Sequence, residues 1–79
     1  MKISATVTLK DDVLDPQGKV VSQTLINMGM SNLTQIRQGK FFEIDLDESD
    51  SNKGEMKVKE MCEKLLANQI IEDFQIKKI

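Results

Sequence analysis

An α+β fold with the element order βαββαβ is predicted by two kinds of pattern in this 79-residue sequence. Four short runs have the look of strands bounded by turn residues, the clearest alternating apolar and polar side chains over nine positions. Between them lie two stretches whose apolar residues recur at the three-and-four spacing of a helix.

The elements follow in order. Ile3, Ala5, Val7 and Leu9 alternate with Lys2, Ser4, Thr6, Thr8 and Lys10, the period of a strand with one buried face. Asp11 and Asp12 then turn the chain into "VLDPQGKVV", residues 13 to 21, which holds the only proline. Asp15 can accept a hydrogen bond from a free helix-end N–H, and Pro16 suits the first helical position because it needs no donor there. A helix is therefore expected from Pro16, with Val21, Leu25 and Met28 as its core-facing stripe and Gly29 as its terminator. Leu33 to Gln38 and Lys40 to Asp47 read as two strands joined in a tight hairpin at Gly39. Phe42, Ile44 and Leu46 lie on one face of the second, and Phe41, Glu43 and Asp45 on the other. The acidic loop 47–52 leads to a second helix with Gly54, Val58, Met61, Cys62 and Leu65 on its apolar stripe. Asn68 ends it, and Phe74 and Ile76 alternate with Asp73, Gln75 and Lys77 in a closing strand.

This is the split-βαβ, ferredoxin-like arrangement: a four-stranded antiparallel sheet with both helices on one face, in a single domain spanning residues 1–79. Such packing leaves the other sheet face, with Ser4, Thr6, Thr8, Arg37, Phe41 and Glu43, open to solvent or to a partner.

Composition narrows the chemistry. Eleven Lys and Arg stand interspersed among thirteen Asp and Glu, for a net charge of −2, so nucleic acid finds no basic footprint. Apolar runs are too short for a membrane span or a secretory leader, and a cytoplasmic protein is expected. One cysteine and no histidine leave no internal disulfide, no Cys/His metal cluster and no imidazole base.

Each candidate motif has a plainer explanation. The P-loop requires Ser or Thr after its Gly-Lys, and Val20 stands there, so "DPQGKV" is a capped helix start. The carboxylates Glu43, Asp45, Asp47, Glu48 and Asp50 lack the glycine spacing of a calcium loop and read as a wet strand face. Cys62 sits among apolar residues with Glu60 and Glu63 nearby, surroundings that raise a thiol pKa, so it is assigned to packing. Lys40 opens a strand as an ordinary guard against edge-to-edge aggregation. No catalytic, cofactor-binding or metal-binding residue is assigned. An RNA-recognition module is excluded by the three aromatic residues, all Phe, and a metallochaperone by the single cysteine.

The ordered set "VTLKDDVLDPQGKVV" (7–21), Gly29, "IRQGKFFEIDL" (36–46), "MCEKLLAN" (61–68) and "IEDFQI" (71–76) resembles the PurS family, the small subunits of multi-subunit phosphoribosylformylglycinamidine synthase in purine biosynthesis. The resemblance covers nearly the whole chain. It implies a non-catalytic subunit joining a PurQ-type glutaminase to a PurL-type synthetase. The assembled enzyme uses formylglycinamide ribonucleotide, glutamine and ATP, with Mg, to give formylglycinamidine ribonucleotide, glutamate, ADP and phosphate. It also implies a homo-oligomer with no cofactor of its own. Gln17, Gly18, Lys19, Arg37, Gly39, Lys40, Phe41 and Glu43 are then the candidate partner-facing residues. Gln69 departs from a proline common in relatives after the residue matching Asn68, which leaves the last turn less fixed. An ACT-like regulatory module of similar topology is the alternative, weakened by the absence of a Gly-rich turn after the first strand. A phosphate-ester hydrolase of this fold would want an Arg at that turn, and the only one is Arg37.

Overall fold

In the computed structural model, which describes residues 1–79, β1 (Lys2–Leu9) is the central strand of the sheet. Its alternation is realised: Ile3, Ala5 and Val7 are fully buried, and Thr8 on the other face is exposed. After the loop, α1 (Pro16–Asn27) starts at the predicted proline with Asp15 as its cap. It ends where predicted, at Gly29, whose φ of +107° is the left-handed conformation that a side chain resists. The N–H groups of Gly29 and Met30 donate back to the Ile26 and Leu25 carbonyls, closing the helix end in a Schellman motif.

The chain re-enters the sheet as β2 (Gly39–Asp45) and passes into α2 (Ser51–Met61), capped by Asp50 Oδ1, which accepts from Asn52 N at 2.9 Å and Lys53 N at 3.3 Å. A π-helical turn over Cys62–Leu66 extends α2, with Ala67 N donating to Cys62 O at 3.0 Å. The closing strand is β3 (Glu72–Lys78). The strand order is β2-β1-β3, both pairings antiparallel, with Ala5 opposite Phe42 on one side and Ile76 on the other. One layer of helix covers one face: α2 lays Val58 and Cys62 onto Ile3 and Ala5, ringed by Met1, Phe42, Ile44, Leu66, Phe74 and Ile76. Burying side chains such as Ile3 and Val58 contributes about 1.5–3 kcal/mol each.

Three expectations are corrected. The sheet has three strands, not four. Leu33 to Gln38 forms no strand and Gly39 makes no hairpin, being the first residue of β2 opposite Thr8. The reason lies in what that segment bonds to. Gln38 N–H is taken by Asp15, the Arg37 guanidinium reaches backbone carbonyls of the preceding loop, and Ile36 O lies against Gly18, so the segment is held beside α1 instead of on β2. The outer edge of β2 is consequently unpaired within the chain.

The two helices do not share a face. Only α2 packs on the sheet; α1 has no extended contact with strands or with α2, and of its predicted stripe Val21 and Met28 are exposed while Leu25 is partly covered. Finally, Leu65 is exposed and Leu66 faces inward. The wider π turn advances the register by one residue, so the buried sequence runs Gly54, Val58, Cys62, then Leu66.

These features make the molecule long. It measures 49 × 25 × 14 Å with a radius of gyration of 15.9 Å, against about 12 Å for a compact chain of this length.

Candidate functional site

β1 leaves the sheet and β2 enters it at the same end, through the pair Thr8 and Gly39. Beyond Leu9 and Lys10, which stay tied to β3 and the loop before it, the chain between them forms an arm made of α1 and the returning limb 33–38. The root of this arm is where the "DPQGK" residues and Arg37 meet. Asp15 uses both carboxylate oxygens: Oδ1 accepts from Gly18 N at 2.9 Å, the usual helix cap, and Oδ2 accepts from Gln38 N at 2.6 Å. The Gln38 N–H foremost, then the Gly18 N–H and the nearby Arg37 charge, hold the Asp15 carboxyl below the usual carboxylate range, against the opposing effect of burial. Arg37 Nη2 donates to Lys10 O at 3.0 Å and Val13 O at 2.9 Å, lashing the same limb to the loop before α1.

Two glycines permit this closeness. A Cβ on Gly18 would strike Ile36 O and lie 2.6 Å from Asp15 Oδ2, and one on Gly39 would lie 2.6 Å from Val7 O.

Of the predicted partner-facing residues, the structure brings Gln17, Gly18, Lys19 and Arg37 together at this root, Gly18 buried and the others exposed. Gly39, Phe41 and Glu43 share the open sheet face, where Phe41 is 64% exposed opposite Thr6. Lys40, one residue out of phase, points to the opposite face and pairs with Glu72 at 3.5 Å. Ser4, expected on the open face, is buried there with its Oγ donating to Lys77 O at 3.3 Å. Sequence reasoning missed the second role of Asp15. The signal was its identity: Ser or Thr would cap as well, but only a carboxylate or amide carries a second polar atom. It also missed the exposed apolar Leu65 and Ile70, displaced outward by the π turn and the loop after it.

Cys62 is fully buried, and burial first, then Glu63, pushes its thiol pKa up, away from the thiolate a nucleophile needs. No three His, Cys, Asp or Glu side chains gather in a geometry for a metal ion, and no helix is long and apolar enough to cross a membrane.

The family model for PurS, phosphoribosylformylglycinamidine (FGAM) synthase, matches residues 2–79. The chain belongs to the PurS family. It is 45% identical over 74 residues to the PurS subunit of this synthase from Bacillus subtilis, covering 94% of this chain and 87% of that one. PurS of Methanocaldococcus jannaschii, one of the subunits of formylglycinamide ribonucleotide amidotransferase, superposes with a TM-score of 0.87 at 36% identity over 96% of this chain and 92% of that one. A chain of the PurLQS structure from Thermotoga maritima shares the fold, with a TM-score of 0.90 at 24% identity over 99% and 95% of the two chains. PurS membership makes this chain a subunit of the FGAM synthase ligase of purine biosynthesis, and sets aside the ACT-like alternative.

Proposed function

We propose that the chain is the non-catalytic bridge of its synthase, holding a PurQ-type glutaminase against a PurL-type, ATP-dependent synthetase in the cytoplasm. Ammonia released by hydrolysis of the glutamine amide then reaches the site where formylglycinamide ribonucleotide is converted to formylglycinamidine ribonucleotide. ATP and Mg belong to the partner subunits, and this chain binds neither. The observation that carries the reading is the arm: a twelve-residue helix whose Val20, Val21 and Met28 are exposed and which makes no extended contact with the sheet or α2. The PurLQS structure of the Thermotoga relative supports it, because that PurS is found with PurL and PurQ.

Self-association belongs to the same reading. The chain exposes 6051 Å², whereas a compact protein of its mass exposes about 4,900 Å². The excess, roughly 1,200 Å², is more than the ~800 Å² each partner gives to a standard interface. The outer edge of β2, where the fourth strand of a ferredoxin-like sheet would lie, is open to a strand of another chain. Sedimentation of this chain mixed with its glutaminase and synthetase tests the proposal. A single complex containing all three is expected, and co-migration of the two large subunits in its absence would contradict it.

A further inference from the structure

We infer that the Asp15 carboxylate is a clip that fixes the angle between the α1 arm and the sheet, and that through this angle it is a positioning residue for assembly of the enzyme. The second half rests on the bridging role proposed above; the first stands on the geometry alone. Because α1 has no extended contact with the sheet or α2, the ties within the chain that set its direction relative to the sheet lie at the root. There Oδ1 holds the first turn of α1 and Oδ2 holds the returning limb, so one side chain joins the two limbs of the arm. Arg37 adds the ties to Lys10 O and Val13 O, and Lys10 N in turn donates to Ile71 O at 2.9 Å, linking the outgoing limb to the loop before β3. Gly18 lets the limbs touch.

Asp15 is only 8% exposed and offers little surface to a partner, so an effect of its substitution on assembly is carried chiefly through the arm. An arm held in its binding pose engages a partner without first selecting that pose. When the clip is lost, the apparent affinity falls by the fraction of chains that still hold it.

Two substitutions separate the clip from the helix cap. In Asp15→Asn the side-chain oxygen still caps Gly18 N–H, but the amide NH₂ then faces Gln38 N–H, donor against donor. In Asp15→Ser the cap remains and the second acceptor is gone. Spin labels at Gln23→Cys on α1 and Gln75→Cys on β3, both exposed positions, report the arm angle as a distance distribution by pulsed electron resonance. Labelled chains are diluted into unlabelled ones to isolate the intramolecular distance, and Cys62 is buried away from the label. Binding to the glutaminase and synthetase is titrated in parallel.

One narrow distribution is expected in the parent and a broad one in both variants, with helical circular dichroism retained. Assembly should weaken about tenfold, as follows if about a tenth of the chains keep the pose. A narrow, unshifted distribution in the variants overturns the clip. A broad distribution with unchanged assembly overturns the positioning role. Should the parent chain itself not bind the large subunits, the bridging reading and the positioning role fall together, and the distance comparison alone judges the clip.

Discussion

Gly18 occupies the third position of α1, where alanine ordinarily favours a helix by about 1 kcal/mol over glycine. Here the opposite is expected, because an added methyl meets the Ile36 carbonyl and the Asp15 carboxylate, and backbone yields less readily than a side chain. Gly18→Ala should lower stability by about 1–3 kcal/mol, the usual cost of overpacking, measured by denaturant unfolding; a stabilised variant would mean the limbs do not pack as described. Cys62 makes a different point. Its thiol lies fully buried beside Val58 over Ile3 and Ala5, so Cys62→Ser should cost about 1–3 kcal/mol for an unpaired buried hydroxyl. Glutamine-dependent turnover of the assembled enzyme should stay at the parent value, and loss of turnover in a folded complex would assign the thiol a chemical role.

The arm root is an element with a pH signature. The folded Asp15 carboxyl sits below its ordinary range, so its stabilising effect is complete above that range and disappears as pH falls through the folded value. The amide signals of Gly18 and Gln38 should therefore titrate together, with a shared midpoint below that of an unperturbed aspartate. Separate midpoints, or one in the ordinary range, would show that the two bonds do not end on one carboxylate. Elements also show what the sequence made legible. β1, the start of α1 at Pro16, its stop at Gly29 and the stripe Gly54, Val58, Cys62 were all readable, since each depends on local periodicity or on one residue's backbone preference. The segment 33–38 was not. Its strand-like composition is overridden by its bonds to Asp15, Lys10 and Val13 and by the contact of Ile36 with Gly18, partners up to 27 positions away in the chain. Leu65 failed for a related reason: the π turn changes the helical period locally, and periodicity extrapolated across it points one residue early. Of the candidate partner-facing residues, Gln17 to Lys19 and Arg37 converge at the arm root, a meeting set by long-range bonds that local pattern does not carry, while strand alternation sends Lys40 to the face opposite Phe41.

At the scale of the whole molecule, length and exposed apolar surface point outward to other chains. Val20, Met28, Leu65, Ile70 and Phe41 are all well exposed, and both outer strand edges are free. A light-scattering mass at micromolar concentration should be at least twice the 9.0 kDa of one chain; a monomer would show that the excess surface is not used between copies. The central claim is that this chain contributes geometry and no reacting group, holding two active sites so that ammonia passes between them. Single alanine substitutions at Arg37, Lys40 or Glu43 should on that view weaken assembly at most. The most direct measurement is the rate of formylglycinamidine ribonucleotide formation by the glutaminase and synthetase, with and without this chain, supplied first with glutamine and then with ammonia. The account predicts glutamine-driven product only when the chain is present, and ammonia-driven product from the synthetase alone; equal glutamine-driven rates in its presence and absence would contradict it.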